Sequence, residues 1–158
     1  YNTDAGIVLM EYRGSAATGG AVEGILMHVF LPNLEEFALS DDPDVNHAWA
    51  VLKQVVHDPD YVGHALVSEP VAFDWDAHDA AYYLLNNLDG TVTLLLTIHF
   101  DQNDQLVVAH ISIPHNQTDR LRPILPDLLD TLTVDGERID PDDLQQLPDP
   151  LVFPEVAP

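Results

Sequence analysis

The chain has 158 residues, 46% of them hydrophobic, and a formal net charge of -22 from 27 acids against five Lys and Arg. That length suits one domain with a sizeable core. The charge argues against binding DNA, RNA or anionic membranes, which need clustered Lys and Arg to displace counterions, and the lack of cysteine excludes disulfides, thiolate nucleophiles and Cys-ligated metal centres.

The acids are unevenly spread. Residues 35–79 hold eleven acids and one base, residues 101–158 hold twelve acids and three bases, and the stretch between them is nearly neutral. No run approaches the roughly 18 apolar residues that span a bilayer, and no signal-peptide pattern is present. A cytoplasmic location is therefore favoured, although a start at Tyr1 leaves open the removal of an upstream segment.

In chain order, Gly6 to Arg13 and Val22 to Phe30 read as strands around a small glycine-rich loop, GSAATGGA. That loop lacks the Gly-Lys-[Ser/Thr] ending of a phosphate loop, and no helical pattern follows it. Asp42 as cap and Pro43 at the first position predict a helix to about Val56, with Val45, Trp49, Leu52 and Val56 on its apolar stripe. His57 falls at its C-terminus, where a cation is favoured, and Asp58-Pro59 stops it. Tyr61–Val67 and Pro70–Phe73 are candidate short strands. A second helix is read from the stripe Ala77, Ala81, Leu84, Leu85 and Leu88, with Asp76 as its cap, Asp79 in its first turn and Gly90 left-handed at its end.

Thr91 to His115 is the most hydrophobic stretch and predicts two strands joined at Asp101, Gln102, Asn103 and Asp104. That turn pairs Phe100 with Gln105, Ile98 with Val107, Leu96 with Ala109, Leu94 with Ile111 and Val92 with Ile113, an apolar row on one face. The other face mixes Thr93, Leu95, Thr97 and His99 with Ser112, His110, Val108 and Leu106, so it calls for cover by a helix or by a second copy of the chain in a homodimer. Leu121, Ile124, Leu125, Leu128 and Leu132 mark a third helix, regular only from about Pro123. Asp135-Gly136 is a tight turn, and Asp140-Pro141 opens a last short helix to Leu147. The fold class is α+β: a mainly antiparallel sheet centred on the 91–115 hairpin with two or three helices on one face. Residues 1–147 form one domain, and 148–158 an extended proline-rich tail.

The chemistry-bearing patterns are sparse. Asp74, Asp76, His78 and Asp79 offer oxygen and imidazole ligands, but acids there also suit the start of a helix, and capping is the favoured reading. The turn at 101–104 lacks the glycine and bidentate Glu of a calcium loop, with Leu106 and Ser112 in their places. His99 and His110 lie roughly 13 Å apart along the strands, too far to share a metal. His110 and Ser112 are neighbours on one strand, without the orienting third group of a nucleophilic pair. His47, His57 and His64 show no ligand spacing, and no dinucleotide, kinase or nucleophile-elbow motif is present. Neither a metal nor a cofactor is implied, and a non-enzyme is favoured.

The expected function is a small acidic binding protein that engages a basic protein, as an inhibitor, immunity protein or chaperone, in some cases by mimicking nucleic-acid charge. Its contact surface would be Asp41, Asp42, Asp44, Asp58, Asp60, Asp74, Asp76 and Asp79. The alternative is a salt-adapted (halophilic) protein whose acids serve solvation, with an unmarked binding or enzymatic site.

Overall fold

The computed structural model describes residues 8–12, 15–16, 20–21, 24–42, 44–101, 104–130, 133–134, 137–138 and 140–156. The strands are β1 (Val8–Tyr12), β2 (Ser15–Ala16), β3 (Gly20–Ala21), β4 (Ile25–Phe30), β5 (Leu66–Val67), β6 (Val71–Trp75), β7 (His78–Asn86), β8 (Thr91–Phe100), β9 (Gln105–Pro114), β10 (Thr133–Val134) and β11 (Glu137–Arg138). The helices are α1 (His47–Val55), α2 (Pro59–Val62) and α3 (Thr118–Leu129), with 3-10 turns at Leu34–Glu36, His115–Gln117 and Pro141–Gln146. Seven strands form one antiparallel sheet in the order β1-β4-β9-β8-β7-β5, and β6 shares the outer edge of β7 with β5.

The central hairpin has the expected register, from Phe100 opposite Gln105 to Val92 opposite Ile113. Its apolar row is the floor of the larger core. Leu94, Leu96, Ile98, Val107, Ile111 and Ile113 pack there with α3 residues Leu121, Leu125 and Leu129, and with Leu151 and Phe153 of the C-terminal segment. The mixed face is roofed by α1. Leu95, Leu106 and Val108 share a second core with Val51, Leu52 and Val55 of that helix. Helices therefore lie on both faces, because three aliphatics on the second face need burial as much as the first face does. With Leu95 and Leu106 covered inside the chain, this face is removed as a homodimer contact. The hydroxyls beneath the roof are satisfied: Thr93 Oγ1 bonds Ser112 Oγ at 2.8 Å, and Thr97 Oγ1 donates to Ala81 O.

Residues 78–86 are the main correction to the sequence reading. They form the longest edgeward strand, β7, where a helix was expected. Ala80 to Leu85 is buried throughout because β7 has a core on each face: Ala80, Tyr82 and Leu84 look to α3, while Ala81, Tyr83 and Leu85 look to α1. An apolar run buried on both sides loses its period of two, and a four-three spacing then arises by chance. Asp76 is accordingly no helix cap. Asp76 and Ala77, both at positive φ (50 and 64), form the tight turn between β6 and β7. Gly90 is left-handed as expected (φ 92), but between two strands.

Smaller shifts follow from local hydrogen bonding. Asn46, not Asp42, caps α1: its side chain accepts from Trp49 N at 2.8 Å, while Asp42 Oδ1 accepts from Asp44 N in a preceding turn. Pro43 lies outside the described residues, as do Gln102 and Asn103 of the hairpin turn, Asp135-Gly136, and Gly14 and Ala17–Gly19 of the glycine-rich loop. Asp58-Pro59 both stops α1 and starts α2, with Asp58 accepting from Asp60 N. α3 begins at Thr118, ahead of Pro123, and carries that proline and Pro126 within it; Pro123 faces solvent.

Candidate functional site

The connections at one end of the sheet bring eleven of the 27 acids toward the end that carries two histidines. Asn46 sets the geometry. Besides capping α1, its Nδ2 donates to Ala80 O at 3.1 Å, which fixes the helix start over β7. His47, the first residue of α1, then donates its backbone N–H to Asp79 Oδ2 at 2.8 Å, a carboxylate at a helix N-terminus. Asp79 is the cross-strand partner of His99. One ligand atom from each of His47, Asp79 and His99 lies within 4.8 Å of the other two. The rings of His47 and His99 meet edge to face, 4.9 Å between centroids.

His99 is only 2% exposed. Its Nε2 lies 3.0 Å from Asp104 Oδ1 in a hydrogen bond. Asp101 Oδ1 is also 3.0 Å from His99 Nδ1, which nevertheless makes no hydrogen bond. His47 Nε2 bonds Ser40 O at 3.1 Å, and its Nδ1 is likewise buried with no hydrogen-bond partner.

The expected contact acids separate. Asp41, Asp42 and Asp44 are exposed in the segment leading to α1, Asp74 and Asp76 are exposed around the β6–β7 turn, and Asp79 is half-buried beneath His47. Asp101 and Asp104 join them from the β8–β9 turn. Asp140 to Asp143 are tied to the same end: Trp75 Nε1 donates to Asp140 O at 2.7 Å and Asp76 N to Asp143 Oδ2 at 2.6 Å. Asp58 and Asp60 lie beyond the far end of α1, about 13 Å away along a nine-residue helix. Of the basic side chains the structure describes, Lys53, Arg120 and Arg122, none offsets the gathered acids. Lys53 pairs with Glu69 at 2.7 Å at the far end of α1, Arg122 donates to the carbonyls of Leu144 and Leu147, and Arg120 is in the first turn of α3, which leaves the hairpin at its other end.

Asp79 is close in sequence to Asp74, Asp76 and His78, but the His78 ring packs on Phe100 at 4.6 Å between centroids. His47 has no ligand spacing in the sequence to mark it. The signal that brings Asp79 to His99 is strand pairing, visible only once 78–86 is read as a strand. His110 stands apart, stacked on His28 with centroids 5.8 Å apart, and burial first and the neighbouring His28 second push its pKa down. Ser112 is bonded to Thr93, so it makes no pair with His110. An open groove beside Asp104 is lined by Pro32, Asn33, Leu34, Phe37 and Leu39.

No protein-family model matches the sequence, and no match was found among curated proteins. The fold is similar to the crystal structure of a Pseudomonas aeruginosa protein of unknown function, described as a suggested regulator, with a TM-score of 0.54 at 11% identity over 83% of this chain and 84% of that one. At that identity the likeness concerns the fold alone. Among the described residues, no helix is long and apolar enough to cross a membrane.

Proposed function

We propose that this chain is a small acidic binding protein that engages a basic segment of a partner protein through the acid-rich end of its sheet. The observation that carries the reading is the convergence of four acidic connections, at 41–44, 74–79, 101–104 and 140–143, with the described basic side chains, Lys53, Arg120 and Arg122, placed elsewhere. Such a surface raises the rate of encounter with a cationic partner and repels anionic ones.

The test compares two charge-neutralised variants for capture of partners from the source cells at low salt, followed by association kinetics with any partner found. One variant carries Asp42→Asn, Asp44→Asn, Asp74→Asn and Asp76→Asn; the other carries Asp58→Asn, Asp60→Asn and Asp89→Asn. The first should lose the partner and the second retain it, with wild-type association slowing steeply as salt rises. Equal retention by both, or a rate independent of salt, would refute the proposal.

A second reading, adaptation to high salt, draws support from Asp60, Asp89, Asp119 and Asp127, exposed acids well away from that end. It requires folding stability to climb between low and molar salt; full stability at low ionic strength counts against it.

A further inference from the structure

The geometry points to a binding site for a divalent transition metal of the zinc class, formed by His47 Nδ1, His99 Nδ1 and a carboxylate oxygen of Asp79, with Asp101 as a fourth donor. This goes beyond the partner-binding reading and does not depend on it. The tautomers carry the first part of the case. A carbonyl and an ionised carboxylate can only accept, so His47 Nε2 must carry the hydrogen shared with Ser40 O, and His99 Nε2 the one shared with Asp104 Oδ1. Each ring's Nδ1 is then the nitrogen left with a lone pair to offer a ligand. These are the two imidazole nitrogens of the cluster that are buried without a hydrogen-bond partner, and His99 is 98% buried as a residue. Leaving such atoms unpaired costs their desolvation in full, so their retention needs an explanation that packing does not supply.

The same two Nε2 bonds are the outer-shell contacts that hold metal-bound histidines, one to a backbone carbonyl and one to a carboxylate. The third ligand is equally fixed, since Asp79 is held by the first N–H of α1. One ligand atom from each of the three residues lies within 4.8 Å of the other two, so small side-chain shifts would bring them to the separations of about 3.4 Å that bonds of about 2.0–2.2 Å around a tetrahedral ion require. Asp101 Oδ1, 3.0 Å from His99 Nδ1, faces a lone pair unless positive charge sits beside both. Two imidazoles and carboxylates suit zinc and its first-row neighbours, whereas calcium and magnesium prefer oxygen alone.

The experiment uses the full chain, stripped with chelator and titrated calorimetrically with Zn²⁺, with Co²⁺ as a spectroscopic reporter of its ligands. One equivalent should bind, raise the melting temperature and give cobalt d–d bands. His47→Gln and Asp79→Asn should lose the site while staying folded by circular dichroism, and His28→Gln should keep it. Asp104→Asn, which weakens only the outer contact, should reduce affinity by roughly tenfold. Absence of heat and of a melting shift with both metals would overturn the proposal. So would weak binding of several equivalents that survives His47→Gln, the behaviour of a diffuse acidic surface, or His47→Gln and Asp79→Asn lowering stability equally with and without metal.

Discussion

The two ends of the sheet are built from the same strands yet handle charge in opposite ways. At the far end, acids are answered one at a time: Glu69 by Lys53, whose hydrogen bond and charge hold the carboxyl below its usual range, and Asp89 by the hydroxyl and amide of Thr91, with the same result. At the near end, Asp79, Asp101 and Asp104 lie against His47 and His99 with further acids in the neighbouring connections, and the described basic side chains, Lys53, Arg120 and Arg122, lie elsewhere. Packed cores cover both faces of the central strands β7, β8 and β9, so the crowding of like charge is not forced by a shortage of core. Uncompensated charge held on a rigid frame is what a site for a cation, or for a cationic surface, requires.

The comparison breaks most visibly at Trp75. It is fully buried, and its indole N–H ties β6 to Asp140, so it latches the 140–146 segment onto the acidic end. Trp75→Ala should cost about 3–5 kcal/mol in urea unfolding. Lys53→Met, which removes the main ion pair of the far end, should change the midpoint too little to resolve, because exposed pairs contribute little.

A smaller effect separates the histidines. His110 sits mid-strand against His28 and away from the carboxylates, and its pKa in the folded chain is lowered from 6.5. The unfolded chain therefore takes up this proton first. Stability from His110 is fully present above about pH 6.5 and is lost as pH falls below it toward the lower folded value. The difference between wild type and His110→Gln, followed by urea midpoints from pH 7.5 to 5, should show that slope; parallel curves would mean the ring is not desolvated.

Much of this architecture was legible from residue order alone, and its limits are physical. The 91–114 hairpin could be paired residue by residue because a polar turn and an unbroken apolar row admit only one good register. The far sides of that pairing could not be assigned, since a face mixing Leu95, Leu106 and Val108 with threonines does not say what covers it. β7 was misread because burial on both faces erased its alternation. The same loss of alternation hides the site: His47, Asp79 and His99 come from three elements, the first two 32 positions apart, and meet only through the β7–β8 register and the Asn46 bonds. Asp58 and Asp60 stand in the same acidic stretch of sequence as Asp41 to Asp44, and the length of α1 sets them apart in space.

The claim that the near end is where a basic partner docks is tested most directly by nuclear magnetic resonance. The ¹⁵N-labelled chain would be titrated at low salt with a short Lys- and Arg-rich peptide. Shifts should concentrate at residues 40–47, 74–79, 99–101 and 140–143 and vanish in the Asp42, Asp44, Asp74 and Asp76 variant. Shifts of equal size around Asp60, Asp89 and Asp119, or none at the near end, would contradict it.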